Sequence, residues 1–191
     1  MTLVLAMVDD QGNIHAGADS AIGGENEIYE FHEPKVFIKG PYLLGYCQSA
    51  RLGQVLRYHF DAPEPPPGEE DLNGFMVATF VPALRHVLEA HGAMTPGLAE
   101  MPQGSVVLVG YRGQLWCIAT NLTVTQMTPR AAIGSGRNHA YGALHALMAS
   151  GAESPGRIIE LAMEAASKHA PRVRPPFRFL EMPAVGSESY A

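Results

Sequence analysis

Thr2 is the residue of this sequence whose type and position best suit it to nucleophilic chemistry. Removal of Met1, which is usual when a small residue follows the initiator, would make Thr2 the N-terminal residue. Thr2 would then carry both a hydroxyl nucleophile and a free α-amine. An α-amine has an unperturbed pKa of about 7.7–8.0, so part of it is unprotonated near neutral pH and can accept the hydroxyl proton. Taken alone, however, a Thr here is better explained by β-strand propensity.

Two predicted strand pairs would position residues near Thr2. The apolar runs Met1–Val8 and Asn13–Asp19 flank a polar turn that ends in Gly12, a pattern typical of a β-hairpin. A second pair is predicted at 34–40 and 42–47. Asp19 therefore ends the second strand of the chain, and Lys35 lies at the start of the third.

Apolar residues at helical spacing predict amphipathic helices on either side of a further hairpin. Pro82 is expected to kink or break the second of these helices. Ser20–Glu33 is predicted to be a loop with short extended pieces, and Ala131–Gly136 a turn of small residues. The predicted helices cover about 50–60, 75–91, 138–149 and 155–168, and the remaining predicted strands cover about 105–110, 114–119, 124–127 and 177–182.

The order of these elements predicts the fold class. Strands joined by short turns favour antiparallel sheets, and helix pairs on the outside of two sheets would cover both faces. We therefore expect an α+β fold, a four-layer α/β/β/α sandwich of two largely antiparallel sheets. The length of 191 residues fits one domain, 1–191.

Composition excludes several functional classes. The net charge is -6 and no basic patch is present, which argues against nucleic-acid binding. No apolar run approaches the length of a membrane span, and the N-terminus lacks the pattern of a secretory signal. Two cysteines give no disulfide framework, so the cytoplasm is the expected compartment. The eight histidines show no metal-binding spacing, so we expect neither a metal nor a cofactor.

Four local motifs together carry a family resemblance. Thr2 begins the first strand, Asp19 ends the second, Lys35 begins the third, and the small-residue motif Gly134–Gly136 precedes a late helix. In this order and spacing the chain resembles the proteasome β-type and bacterial HslV-type threonine peptidases, which are N-terminal-nucleophile hydrolases. The resemblance spans nearly the whole chain and is carried by residues 2–20, 34–56 and 131–144.

The resemblance implies a role for each residue of the site. Thr2 would supply the hydroxyl nucleophile, with its own α-amine as the base. The Lys35 ammonium would lower the local proton affinity and stabilise the alkoxide-like state, and Asp19 would keep Lys35 charged and oriented. Ser135 would lie near the amine and assist proton transfer. The backbone N–H of Gln48 would act as oxyanion donor.

The sequence departs from the family pattern at two places. Gln48 stands in a turn where the family usually has Gly, and the stretch 168–173 lacks the supporting Asp and Ser of the proteasome type. The substrate pocket implied by the resemblance would be built partly from Gly45, Tyr46 and Arg51 and would accept apolar side chains at best.

Assembly follows from the same resemblance. It implies a homo-oligomeric ring, an unfolded polypeptide as substrate and a separate ATPase unfoldase as partner, with the outer helix at 50–60 near the subunit contacts. Three alternatives stay open from the sequence: a catalytically silent assembly subunit, an amidase of the same fold acting on a small molecule, and a binding module in which Thr2 is incidental.

Overall fold

The computed structural model of the protein describes residues 2–23 and 27–184; the predicted removal of Met1 lies outside these described residues. The strands are β1 (Leu3–Val8), β2 (Ile14–Asp19), β3 (Ala21–Gly23), β4 (Ile28–Glu30), β5 (Val36–Lys39), β6 (Tyr42–Cys47), β7 (Val106–Tyr111), β8 (Gln114–Ile118), β9 (Val124–Gln126), β10 (Arg130–Gly134) and β11 (Phe177–Met182). The helices are α1 (Ala50–Tyr58), α2 (Leu72–Phe75), α3 (Val81–Ala90), α4 (Arg137–Ser150) and α5 (Pro155–His169), with a π-helical turn at Met76–Phe80.

Two antiparallel sheets form the centre of the fold. The first sheet has the strand order β10-β1-β2-β11, so the hairpin that follows Thr2 occupies its middle. The second sheet has the order β5-β6-β7-β8-β9. The short strands β3 and β4 pair with each other within the segment predicted to be a loop with extended pieces.

Three apolar clusters separate four layers. One cluster joins the two sheets, a second joins the outer face of the first sheet to α4 and α5, and a third joins the outer face of the second sheet to α1, α2 and α3. Strand β1 shows how the sequence directs this layering, because successive side chains of a strand point to opposite faces. Leu3, Leu5 and Met7 contact the helices, whereas Val4 and Ala6 contact the other sheet. The predicted four-layer α/β/β/α sandwich is therefore confirmed.

Two predictions about local structure need correction. The small residues 131–134 belong to strand β10 rather than to a turn, because Ala131, Ala132 and Ile133 are buried and pair with β1. This tertiary pairing overrides the weak strand propensity of Ala. The second helical region begins at Leu72 rather than near Phe75, and its π-helical turn ends directly before α3, where Pro82 lies in the first turn.

Within the described ranges 2–23 and 27–184, no helix has the length and apolar character needed to cross a membrane. In the same ranges, no group of three or more His, Cys, Asp or Glu side chains is arranged to hold a metal ion.

Candidate active site

The carboxylate of Asp19 ties the start of β1 to the end of β2. Its Oδ1 atom accepts hydrogen bonds from the Leu3 N–H at 2.8 Å and from the Lys35 ammonium at 3.0 Å, and its Oδ2 atom accepts from the Ala21 N–H at 3.2 Å. Asp19 is 1% exposed, so these three donors replace water. Because Leu3 follows Thr2 directly, this carboxylate fixes the backbone that presents Thr2.

Lys35 completes a buried ion pair. Its side chain is 4% exposed, and its ammonium donates to Asp19 and to the carbonyl oxygen of Ala21. Burial lowers the pKa of Lys35 below the ordinary lysine value, while the charge and hydrogen bond of Asp19 act in the opposite direction. A buried ammonium with a reduced pKa beside a cleft is a feature of functional sites.

Thr2 and Lys35 line one small cleft. Thr2 is 3% exposed, and the cleft encloses about 220 Å³, its open mouth included. The remaining lining comes from three separate parts of the chain: Ile22 and Phe31, then Tyr46, then Gln48, Ser49 and Ala50. The structure therefore brings together Thr2, Asp19, Lys35 and the turn after β6.

The turn after β6 has an unusual backbone at Gln48. The Ser49 N–H donates to the carbonyl oxygen of Cys47 at 3.0 Å, which closes a three-residue turn around Gln48 with a φ of +75°. This conformation favours Gly and strains other residues, which explains why a Gly would be expected at this position. The Ser49 hydroxyl then accepts from the Leu52 N–H at 3.2 Å and caps α1.

Ser135 and Gly134 approach Thr2 from strand β10. The Ser135 hydroxyl lies 3.4 Å from the carbonyl oxygen of Thr2, a long contact, and the Ser135 side chain is otherwise exposed. Gly134 fits more tightly: a Cβ atom there would lie 2.1 Å from the Thr2 carbonyl oxygen, and its φ is +96°. Gly134 is therefore required for this approach, a role that the sequence analysis did not assign to it.

The predicted substrate pocket is only partly correct. The ring of Tyr46 lines the cleft and lies over Gly53, where no side chain obstructs it. Gly45 instead faces the other sheet, because a Cβ atom there would lie 2.9 Å from Val4. The Arg51 guanidinium donates two hydrogen bonds to the carbonyl oxygen of His91, at 3.1 and 2.7 Å. Neither Gly45 nor Arg51 lines the cleft around Thr2.

Four cleft residues, Ile22, Phe31, Ser49 and Ala50, were not predicted from the sequence. Ile22 and Phe31 lie in and beside the small β3–β4 pair, within the segment predicted to be a loop with short extended pieces. Ala50 begins α1 directly after the Gln48 turn, so its place in the cleft could have been inferred from chain neighbourhood. Nothing in the local sequence of Ile22 or Phe31 indicates that their chain folds back over Lys35.

Two other reactive side chains near the cleft are neutral. Burial raises the pKa of the Cys47 thiol, and the thiol donates to the carbonyl oxygen of Gly104 at 3.6 Å. Burial likewise raises the pKa of the Tyr46 phenol. A neutral thiol is a poor nucleophile, which argues against Cys47 as the nucleophile of this cleft.

Solved structures share this fold over nearly the full chain. BPH of Thiobacillus denitrificans in complex with epoxomicin matches with a TM-score of 0.79 at 20% identity, over 95% of this chain and 98% of that chain. Eukaryotic HslV from Trypanosoma brucei matches with a TM-score of 0.66 at 15% identity, over 95% and 99%. The Gly-1 mutant of Anbu from Hyphomicrobium sp. strain MC1 matches with a TM-score of 0.64 at 13% identity, over 100% and 90%.

No protein-family model matches the sequence, and no curated protein matches it either. At identities of 20% and below, the likeness to the solved structures shows the fold alone.

Proposed function

We propose that this protein is a threonine-type peptidase and that its nucleophile is the hydroxyl of Thr2, exposed by removal of Met1. The observation that carries the proposal is the buried Lys35–Asp19 pair, which is bonded to the Leu3 N–H and shares a cleft with Thr2. Burying such a pair is costly, and a fold that needed only stability would do as well with apolar side chains.

The proposed reaction proceeds through an acyl-enzyme. The Thr2 hydroxyl oxygen attacks the carbonyl carbon of the scissile amide while its proton passes to the Thr2 α-amine. The Lys35 ammonium stabilises the developing alkoxide, and the Gln48 N–H is assigned to the oxyanion. The α-ammonium then returns the proton to the leaving nitrogen as the C–N bond breaks. Water, deprotonated by the same amine, attacks the carbonyl carbon of the Thr2 ester. The bond to the Thr2 oxygen breaks, the amine returns the proton to that oxygen, and the acid product leaves.

The second candidate is an amidase that acts on a small molecule. The small size of the cleft, about 220 Å³ with its open mouth included, favours it, because such a cleft can enclose only a small chemical group. A peptide could place one side chain there and leave its other residues outside. The combination of Thr2, Lys35 and Asp19 argues against a catalytically silent subunit, because such a subunit has no need of a buried ion pair.

Assembly into a homo-oligomeric ring is part of the proposal. An open threonine peptidase would degrade folded neighbours, whereas a closed ring admits only unfolded polypeptide, which a separate ATPase unfoldase would deliver. Exposed apolar side chains on the helical layer support a subunit contact: Tyr58 is 60% exposed and Val77 is 53% exposed. Light scattering at micromolar concentration should give the mass of several chains, and a mass equal to that of one chain would contradict the proposed ring.

The proposed function is tested with Thr2→Ala and Thr2→Ser beside the unaltered protein. Both substitutions keep a small residue after Met1, so both variants should lose Met1 and retain a free α-amine. Peptide hydrolysis should fall at least about 10³-fold in Thr2→Ala and remain measurable in Thr2→Ser. Intact mass verifies Met1 removal. An active protein that retains Met1, or an active Thr2→Ala variant, would refute the proposal.

A further inference from the structure

A large groove lies on the far side of β10 from the cleft that holds Lys35. It encloses about 910 Å³ with its open mouth included, and its walls are largely apolar. It runs between β9, the edge strand of the second sheet, and β10, the edge strand of the first. Cys117, Thr125, Met127 and Ile133 line it. We call this feature the β9–β10 groove.

The β9–β10 groove begins within one strand of Thr2. Gly134 belongs to both places, because it lines the groove and contacts the Thr2 carbonyl oxygen so closely that no Cβ atom would fit. Gly104 also lines the groove, and a Cβ atom there would lie 3.8 Å from the Gln48 side chain. Neighbouring strands are about 4.8 Å apart, so a chain crossing Thr2 passes from the Lys35 cleft to the groove within one or two residues.

The charge at the groove limits what it can hold. Arg137 lines the groove and begins the 14-residue helix α4, whose N-cap residue Gly136 makes no side-chain cap. Among residues 2–23 and 27–184, Arg137 forms no ion pair with a carboxylate. Apolar walls beside an unpaired guanidinium and an uncapped helix start suit an apolar side chain that carries a carboxylate nearby.

We propose that the β9–β10 groove binds the leaving side of a peptide substrate, with an apolar side chain between β9 and β10 and a free terminal carboxylate at Arg137. This inference rests on the proposed peptidase function and names its substrate class: peptides cleaved close to an apolar C-terminal end. The Lys35 cleft receives the acyl side, and the groove receives the amine product. Size supports this division, because the groove encloses about four times the volume of the cleft.

Four substrates that share one acyl peptide test the proposal. Their leaving groups are leucine with a free carboxylate, leucine amide, glycine with a free carboxylate, and methanol from a methyl ester, which puts nothing in the groove. For the unaltered protein, kcat/KM should be at least about tenfold higher for leucine than for glycine, the usual contribution of a few methylene groups. Equal values for leucine and glycine would overturn the groove assignment.

Two variants locate the effect. Thr125→Trp places a large ring in the groove from an exposed position on β9, so kcat/KM for leucine should fall about tenfold. Its matched control is Gln126→Trp, because the Gln126 side chain bonds Gln114 on the opposite face of β9 and its replacement should change nothing. Arg137→Gln should lower kcat/KM for leucine but not for leucine amide. Equal effects of Thr125→Trp and Gln126→Trp, or no effect of Arg137→Gln on leucine, would overturn the proposal.

The methyl ester distinguishes failure of the groove assignment from failure of the proposed peptidase function. If all variants hydrolysed the ester and showed no preference among leaving groups, the groove would not be a binding site, while the proposed Thr2 chemistry would stand. Absence of hydrolysis of every substrate, the ester included, would instead remove the peptidase function on which the groove depends.

Discussion

Two aspartates mark opposite ends of the β1–β2 hairpin, and their surroundings differ. At the turn, Asp9 accepts hydrogen bonds from the N–H groups of Gln11 and Asn13, at 3.0 and 2.8 Å, and from the Asn13 side chain and the His15 ring, both at 2.9 Å. At the other end, Asp19 accepts from two N–H groups and from the buried ammonium of Lys35. Both carboxylates organise backbone, but only Asp19 also holds a buried cation.

The comparison separates a structural carboxylate from a candidate catalytic one. Burial raises the pKa of Asp9, but the hydrogen bonds from His15, Asn13 and Gln11 outweigh it and lower the pKa to about 2. The Asp9 side chain is 13% exposed, and its donors are those of an ordinary turn. The Asp19 side chain is 0% exposed, and replacing its ion pair with apolar residues would usually be neutral or stabilising. The ion pair at the Asp19 end therefore points to function, and the Asp9 network to folding.

The largest effect is expected for Lys35→Met. Removal of the ammonium leaves Asp19 charged and buried, which should lower the free energy of unfolding by about 3–5 kcal/mol. The same change removes the cation beside Thr2, so peptide hydrolysis should fall at least about 10³-fold. Denaturant unfolding and kcat/KM measure the two losses.

The control for this variant is Lys39, at the far end of β5, the strand that Lys35 directly precedes. Lys39 is partly exposed, donates to the carbonyl oxygen of Arg57 at 3.0 Å and pairs with Asp61 at 3.4 Å. Lys39→Met should cost less than about 1 kcal/mol and leave kcat/KM unchanged. Similar stability losses at Lys35 and Lys39 would contradict the distinction between the two ends of the hairpin.

The pH dependence of hydrolysis should show the Lys35 ammonium directly. Activity should rise as the Thr2 amine loses its proton, near its unperturbed pKa of about 7.7–8.0, and fall again as Lys35 loses its own. Because burial lowers the pKa of Lys35, this alkaline fall should lie below the ordinary lysine value of 10.5. The free energy of unfolding should rise as the pH passes from the lowered pKa of Lys35 to the ordinary value of 10.5, because the folded state binds the Lys35 proton more weakly than the unfolded state.

Asp19→Asn sharpens the pH experiment. The negative charge and hydrogen bond of Asp19 raise the pKa of Lys35, so their removal should move the alkaline fall to lower pH. Among the described residues, the Cys47 thiol also raises the pKa of Lys35. Because burial raises the pKa of that thiol, Cys47→Ser should move the alkaline limb less than Asp19→Asn does. If the alkaline limb of the pH profile shifted in Cys47→Ser and not in Asp19→Asn, the titrating group would be the thiol rather than Lys35.

A smaller effect is expected at the turn. Asp9→Ala removes the acceptor for two backbone N–H groups and should lower the free energy of unfolding by about 1–2 kcal/mol without changing kcat/KM. The contribution of Asp9 should be complete above its ordinary pKa of 3.8 and be lost as the pH falls toward about 2. The neighbouring Asp10 is exposed, so Asp10→Ala serves as the control and should change stability by less than about 0.5 kcal/mol. A loss of activity in Asp9→Ala would show that the turn end of the hairpin also contributes to the active site.

Much of this fold follows from sequence pattern. The apolar alternation of Leu3–Val8 and the turn before Asn13 predict the central hairpin, and helical spacing after Ser49 predicts α1. Strand β10 could not be predicted in the same way, because its alanines have weak strand propensity and become a strand only through burial against β1.

The candidate site could be predicted from the sequence less completely than the fold. Thr2, Asp19 and Lys35 were predicted through the family resemblance that their order along the chain carries, and the structure does join Asp19 to Lys35. Gly45 was misplaced because side chains alternate along β6: Tyr46 faces the cleft, so its neighbour must face the other sheet. The contribution of Phe31 depends on how the chain folds back after β2, which no local pattern encodes.

The smallest effects concern two turns with similar backbone and different residues. Gly12 has a φ of +84° beside Asp9, and Gln48 has a φ of +75° beside the Thr2 cleft. Gly12→Ala should cost about 1 kcal/mol, whereas Gln48→Gly should relieve strain and raise the free energy of unfolding by about 0.5–1 kcal/mol, part of the gain being offset in the unfolded chain. Gln48→Gly keeps the backbone N–H and should retain activity. Destabilisation by Gln48→Gly would show that its side chain, rather than the turn, is what matters there.

The central claim is that the Thr2 hydroxyl is the nucleophile and depends on Lys35. Its most direct test is mass spectrometry after incubation with a peptide vinyl sulfone, which traps a nucleophile by addition across its double bond. The unaltered protein should gain the mass of one reagent, fragmentation should place that mass on an N-terminal Thr2, and Lys35→Met should react at least about 10³-fold more slowly. Addition to Cys47, or equal labelling of Thr2→Ala, would contradict the account.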